Sequence, residues 1–464
     1  MCMQNQCKQG GRTAAYIGAQ KDKLMQSVRG PQPDPAMDSF YRGMSALCSR
    51  PESCINYMHL NAVIGATAKA WTTARGRFAQ QKQKHAHHQM HAFLTKMFRT
   101  LQPLLPDVEV RQAANMLWSS AQLGLNPDAL VPGMTDSLAR RFMVDMNAAN
   151  GQSFANVLVA CAKLQLSPCR GVLCKTILNR LATADLSNFE PQPVANILHS
   201  LATIPAAAPS IEVLDALCQH FDVLLKSRQA VELPNEQSIA STMWALSKLK
   251  HAPSDELAMT MVGRMVALCR VPGQQPTPQA ISNVLLACAQ LSLPVKQADI
   301  DSLASFLLSL DRQQVRKQEY ANTAWSLAVL GYLREAQLEL LLDELSALLV
   351  NHRELSQSSL LIQLTQLYQA LDWLQPPQNA DTQQAKAWLN LKGKLSSLGP
   401  RPAAEPHPEA QLVCSALTQL SLRFKATPAI SGYRTAAVLE PIGSGAPIVV
   451  SFESNHHLIN KESR

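Results

Sequence analysis

Apolar residues recur at three-to-four spacing through most of this chain, and the pattern itself returns about every forty residues. The matching stretches begin Gln112-Ala-Ala-Asn115-Met-Leu-Trp118, Gln152-Ser-Phe-Ala-Asn156, Gln192-Pro-Val-Ala-Asn196, Gln237-Ser-Ile-Ala-Ser241, Gln279-Ala-Ile-Ser-Asn283 and Gln318-Glu-Tyr-Ala-Asn322. The anchors at 115, 156, 196, 241, 283 and 322 lie 41, 40, 45, 42 and 39 residues apart. Each copy predicts two helices. The first follows a capping or helix-starting signal (Asn150-Gly151, Glu190-Pro191, Pro234-Asn235, Thr277-Pro278) and runs to a Leu or Ile eight past the anchor. A turn containing Pro127, Pro168, Pro205, Pro253 or Pro294 ends five of the six, and a second amphipathic helix follows, as in Asp255–Val266. A period of this size means stacked units, none able to bury its apolar face alone. The predicted fold is all-α: an α-solenoid of about 40-residue helix-pair repeats with a small α/β C-terminal cap.

The periodicity also sets boundaries. Residues 1–50 mix Gly, Gln, Pro and charge and read as a disordered basic segment. Residues 51–105 hold a degenerate first repeat, with Asn61 at the anchor, and a basic, His-rich region. Residues 106–375 form the repeat body, closing on a worn seventh copy after Gln357 in which Leu361 takes the anchor position. A Pro-rich linker is expected over 376–408. The tail, 409–464, combines a helix-periodic run from Glu409 to Phe424 with short β-type runs at Tyr433–Leu439 and Ile448–Phe452.

Comparing the copies column by column separates packing from chemistry. The residue before the anchor is Ala114, Ala155, Ala195, Ala240, Ser282 or Ala321, and the residue six after it is Ala121, Ala162, Ala202, Ser247, Ala289 or Ala328. Seven apart on a helix, these make one face of small residues where neighbouring helices approach closely. The anchors Asn115, Asn156, Asn196, Asn283 and Asn322, with Gln152, Gln192, Gln237, Gln279 and Gln318 one turn earlier, hardly vary. A constant column suits a structural hydrogen-bonded ladder better than the reading of a varied ligand. The residue seven past the anchor does vary (Gln122, Lys163, Thr203, Lys248, Gln290, Val329) and lies on the anchor face. Its five polar members, with Arg111 of the first copy, are the candidate RNA-binding residues. Position +3 carries Trp118, Trp244 and Trp325, which read as core residues first and as stacking platforms second.

Charge sits unevenly. Residues 1–100 hold 14 Lys/Arg against 4 acids, a balance of +10, so the whole-chain +8 leaves −2 for the other 364. The basic end suits phosphates or an address. The eleven cysteines form no CxxC pair; Cys161 and Cys288 share one repeat position and read as small core residues in a reduced compartment. His87 and His91 could share a helix face as metal ligands, but beside Lys82 and Lys84 a solvated cation patch is the stronger reading, and no metal or cofactor is expected. There is no phosphate loop, no GxSxG and no HExxH, so no catalytic residues are assigned. No stretch is apolar enough to span a membrane.

Ala240-Ser-Thr-Met-Trp244-Ala-Leu-Ser-Lys-Leu249 and Ala321-Asn-Thr-Ala-Trp325-Ser-Leu-Ala-Val-Leu330 resemble octotricopeptide-type helical repeats, whose signature runs Ala-Asn-x-x-Trp-Ala-Leu-Ala-Lys-Leu. Such repeats occur in organellar RNA-processing proteins, in the leucine-rich region of FAST kinase-like proteins and in secreted effectors of some bacteria. The resemblance covers about residues 55–370. Family members often end in a RAP domain of restriction-endonuclease-like fold, to which the tail is similar: Gly432-Tyr433-Arg434 and Val449–His457 fall where the family has its motifs. His457 matches the family His and Glu453 approximates its Asp, but Ala436 and Ser451 replace the acids a nuclease would need.

The resemblance implies a non-catalytic protein that takes single-stranded RNA along its concave face, in RNA processing or stability. The −2 balance of the repeat body supports a rival, a protein-interaction scaffold such as a bacterial effector acting in a host cell. The N-terminus lacks the apolar core of a secretory signal. An intracellular place is expected, either an organelle matrix or a host cell after bacterial secretion.

Overall fold

The computed structural model describes residues 2–30, 33–50, 54–74, 76, 80–164, 169–204, 209–227, 233–311 and 313–332, and beyond these only 415, 418, 424–426, 435–439 and 448–451. The chain divides into two compact units, 1–233 and 234–464.

The first unit is built from paired helices: α1 (Cys2–Ser27) with α2 (Asp34–Cys48), α3 (Tyr57–Ala74) with α4 (Gln80–Leu101), α5 (Val110–Leu123) with the short α6 (Pro127–Leu130) and α7 (Met134–Val144), α8 (Gly151–Leu164) with α9 (Cys169–Leu181), and α10 (Pro191–Thr203) with α11 (Ile211–Lys226). The first members, α1, α3, α5, α8 and α10, pack side by side as one row. Behind them α2, α4, α7 and α9 form a second row, bridged between α4 and α7 by α6 and a 3-10 turn at Gln102–Asp107. The second unit repeats the scheme with α12 (Glu236–Leu249), α14 (Pro278–Gln290) and α16 (Lys317–Leu330) in one row, and α13 (Asp255–Cys269) and α15 (Gln297–Ser309) behind. Both helical units therefore stack in the α-solenoid manner.

The small-residue face explains the close rows. Ala114, Ala155, Ala195, Ala240, Ser282 and Ala321 are all buried, as are Ala121, Ser247, Ala289 and Ala328. The helix ends follow their local chemistry too. Asn150, Asn235 and Thr277 each accept a hydrogen bond from a backbone N–H three residues on, at 3.0, 2.9 and 3.2 Å. The residue nine past the anchor adopts the left-handed conformation in four copies: Gly124 (φ 68°), Lys250 (55°), Ser292 (51°) and Gly331 (74°). At each, the next N–H reaches back five residues, as Leu125 does to Ser120 O at 3.0 Å and His251 to Leu246 O at 3.0 Å. Gly151 opens α8 against Phe189; a Cβ there would lie 2.7 Å from a ring carbon, so glycine is what lets Phe189 stack on Phe154.

The expected disorder of residues 1–50 is overturned. Both α1 and α2 form, and Ile17, Leu24, Met37, Phe40, Tyr41 and Met44 are buried. Tyr41 stacks on Phe93 of α4 with ring centroids 4.5 Å apart, which ties the segment to the rest of the unit. Enough apolar area is covered to offset the ordering of a Gln- and Gly-containing chain.

At the C-terminal end three short strands, β1 (Phe424–Ala426), β2 (Thr435–Leu439) and β3 (Ile448–Ser451), pair antiparallel in that order. The last residue expected to be helical, Phe424, pairs with Leu439 instead. Consecutive antiparallel pairing is a meander, without the crossover connection of an α/β layer. The expected α/β cap is not carried by it. The seventh copy (Gln357, Leu361), the 376–408 linker, Tyr433, Glu453 and His457 lie outside the described residues, as do the turn prolines Pro168 and Pro205.

Candidate ligand-binding face of the first unit

On the anchor face of the first unit, side chains join successive helices. Asn156 Nδ2 donates to Asn115 Oδ1 at 2.9 Å, and Asn156 Oδ1 accepts from Gln152 Nε2 at 2.7 Å. Asn156 is 6 % exposed, so two partners satisfy an amide that burial would otherwise penalise. In α10 the same one-turn bond recurs, Gln192 Nε2 to Asn196 Oδ1 at 3.1 Å. Two turns further along, about 10 Å up the helix axis, Lys163 Nζ donates to Gln122 Oε1 at 2.9 Å. Two polar rows thus cross α5 and α8.

The other position +7 residues are placed differently. Thr203 turns its hydroxyl to its own helix, donating to His199 O and Ser200 O at 3.1 and 3.0 Å. Lys248 is exposed, with its ammonium 6.0 Å from the centre of the half-buried Trp244 ring. Gln290 is buried and its Oε1 has no hydrogen-bond partner among the described residues; Val329 is core. Arg111 is exposed. Of the anchors in the second unit, Asn322 is buried and Asn283 half-buried, while Gln237 and Gln318 are exposed; Gln279 Oε1 accepts from Arg316 at 3.2 Å. The tryptophans divide too: Trp325 is core, while Trp118 and Trp244 keep part of their faces in solvent.

His199 takes the +3 place in α10. Desolvation of its ring, and then Lys163, hold it below the ordinary histidine range. The residue as a whole is exposed, so part of its field is screened. His87 is exposed and meets Trp71 edge-on at 5.8 Å. Among the described residues no three His, Cys, Asp or Glu lie together as a metal site would require. Cys161 and Cys288 are both buried, and burial pushes the Cys288 thiol up to about 12, so it stays protonated. No helix among the described residues is long and apolar enough to cross a membrane.

The anchor face opens into a recess of ≈ 600 Å³ between α1, α3, α5 and α8. Its wall carries the amides of Asn61, Asn115, Gln152 and Asn156, the ring of Trp118, and the cations Lys21, Arg29 and Lys69, with Asp22 the one acid among the described lining residues. The sequence marks Asn61 as a worn anchor and counts the three cations within the basic first hundred residues, suited to phosphates, without bringing them together. The signal was available: Lys21, Met25 and Arg29 follow one another at four-residue steps, and Lys69 stands eight past Asn61 on the same face.

No family model matches the chain, and no curated protein does. Among solved structures, an engineered protein aligns at 14 % identity with a TM-score of 0.33, over 83 % of this chain and 96 % of that one.

Proposed function

We propose that the chain is a non-catalytic helical-repeat protein that binds single-stranded RNA along the anchor face of its first-row helices. The carrying observation is the pair of bonded rows across α5 and α8, Gln152–Asn156–Asn115 and Lys163–Gln122, beside the part-exposed ring of Trp118. Amide and ammonium groups held in place by their neighbours present donors and acceptors of the kind that read base edges, and a flat ring at the same level suits an unpaired base. The resemblance to octotricopeptide-type repeats supports the same reading, as does the basic balance of the first hundred residues, whose described residues are mostly helical and belong to the first unit. A RAP-like tail without the metal-binding acids, Ala436 and Ser451 standing in their places, belongs to this reading as a docking or terminal element rather than a nuclease.

Selection from a random single-stranded RNA pool at moderate salt tests it. An enriched motif whose affinity falls in Lys163→Ala, with a salt slope of about 0.7 per phosphate contact, is the expected result. A pool that returns no enrichment, or enrichment that Lys163→Ala and Trp118→Ala both leave intact, removes the reading and favours a protein partner on the same face.

A further inference from the structure

We propose that the recess between α1, α3, α5 and α8 is a binding site for one phosphorylated nucleotide, its phosphate held by Lys21, Arg29 and Lys69 and its base laid against Trp118. This rests on the RNA reading and deepens it by fixing where along the face a strand is gripped.

Four properties of the recess converge on that ligand. Its volume, ≈ 600 Å³, falls within the range of small-molecule sites. Three cations, Lys21 on α1, Arg29 just past its end and Lys69 on α3, face one acid among the described lining residues, and all three are exposed rather than bound up in the ion pairs described for this unit, which join Arg42 to Asp38, Arg141 to Asp145 and Lys226 to Asp222. A dianionic phosphate meets that need, and Arg29 can grip it with two parallel N–H donors. Trp118 is half-buried, so one part of the indole is fixed by packing while the rest borders the recess; an aromatic platform of this kind takes any base. The anchor amides beside it stay in place because Asn156 holds Asn115 and Gln152 holds Asn156, which gives a base edge preorganised partners.

Asp22 separates a nucleotide from a bare anion. A carboxylate repels free phosphate, whereas it accepts hydrogen bonds from ribose hydroxyls. The backbone leaves room as well. A Cβ on Gly65, which lines the recess, would meet nothing nearer than Ser119 Oγ at 3.8 Å, so the floor of the site is open above α3.

The full-length protein, titrated with adenosine monophosphate, with inorganic phosphate and with a mixed-sequence single-stranded RNA, decides the matter. The expected result is saturable quenching of tryptophan fluorescence by the nucleotide, absent in Trp118→Phe. Its affinity should fall about tenfold or more in Lys21→Gln/Lys69→Gln, and phosphate should compete only weakly. Both lysines are exposed, so an unchanged thermal melt is expected of the double variant and checks that it folds. Gly65→Phe, which fills the recess without touching a charge, should abolish the same signal. No binding of the nucleotide, equal binding by the double variant, or phosphate binding as tightly as the nucleotide each overturns the proposal. RNA that binds with an affinity the double variant does not change overturns this site and leaves the RNA reading standing. Nucleotide binding as expected with no RNA binding leaves the site and overturns the RNA reading.

Discussion

The same repeat columns lead different lives in the two units. In the first, anchor and +7 residues bond to their counterparts one helix away, Asn156 to Asn115 and Lys163 to Gln122, and the +3 tryptophan borders an open recess. In the second, between α14 and α16, the corresponding surface is a dry cluster in which Leu286, Ala289, Ala328 and Val329 enclose Trp325. A column therefore does not define a role. What decides is whether the neighbouring helix brings an amide or a methyl group to the same level. Polar neighbours make a ladder that can also face a ligand, whereas apolar ones close the gap and take the tryptophan into the core.

The contrast can be broken most forcefully at the tryptophans. Trp325→Ala should cost about 3–5 kcal/mol in urea unfolding, because a buried indole leaves a cavity its neighbours cannot fill. Trp118→Ala, already half in solvent, should cost less than about half of that. Equal losses would show that both rings are core and that the recess is incidental. The anchors come next. Asn156→Ala removes a buried amide from its bonds to half-buried Asn115 and exposed Gln152 and should cost about 1 kcal/mol. Asn283→Ala, at a half-buried site, should stay within about half a kcal/mol, and a reversed ranking would dissolve the distinction between the units.

At position +7 the sign should differ. Gln290 buries an oxygen without a partner, so Gln290→Met should raise stability by about 1 kcal/mol. Lys163→Gln is expected to leave it unchanged within about half a kcal/mol. The smallest effect is electrostatic. Because the native pKa of His199 lies below its ordinary 6.5, its unfolded form takes up a proton first as the pH falls. Its contribution to stability is complete above that value and is lost as the pH drops toward the native pKa. Lys163→Gln removes the second cause, so an NMR titration of the imidazole should move upward; a midpoint that stays put would mean burial acts alone.

The period, the helix pairs and the caps at Asn150, Asn235 and Thr277 were all legible, since each is a local pattern with a local cause. The small-residue face was legible for the same reason. The fate of the +7 column was not. Whether Gln290 is buried and Thr203 bonds its own helix depends on what the next repeat brings, which no single window contains. The N-terminal helices escaped for another cause. Gly10, Gly11 and the Gly30–Pro35 run argue for disorder by composition, yet Met37, Phe40, Tyr41 and Met44 stand at the spacing of one helix face. Periodicity outweighed composition there. The cations of the recess were counted in the basic end but not gathered into a site, because Lys21 and Arg29 lie in the segment set aside as a tail.

The stacking of Tyr41 on Phe93 alters what shortening this protein would do. A segment that looks like a detachable address is a packed layer of the stack, with α1 against α3 and α2 against α4. Clipping it away would not release a finished body. It would leave Phe93, now covered by Phe40 and Tyr41, as a raw apolar edge, and in a stack held together only by nearest neighbours an uncovered edge invites another chain to bind. Trimmed preparations should then self-associate more than the intact chain, and any fusion partner is better placed at a loop than at the cost of the first fifty residues.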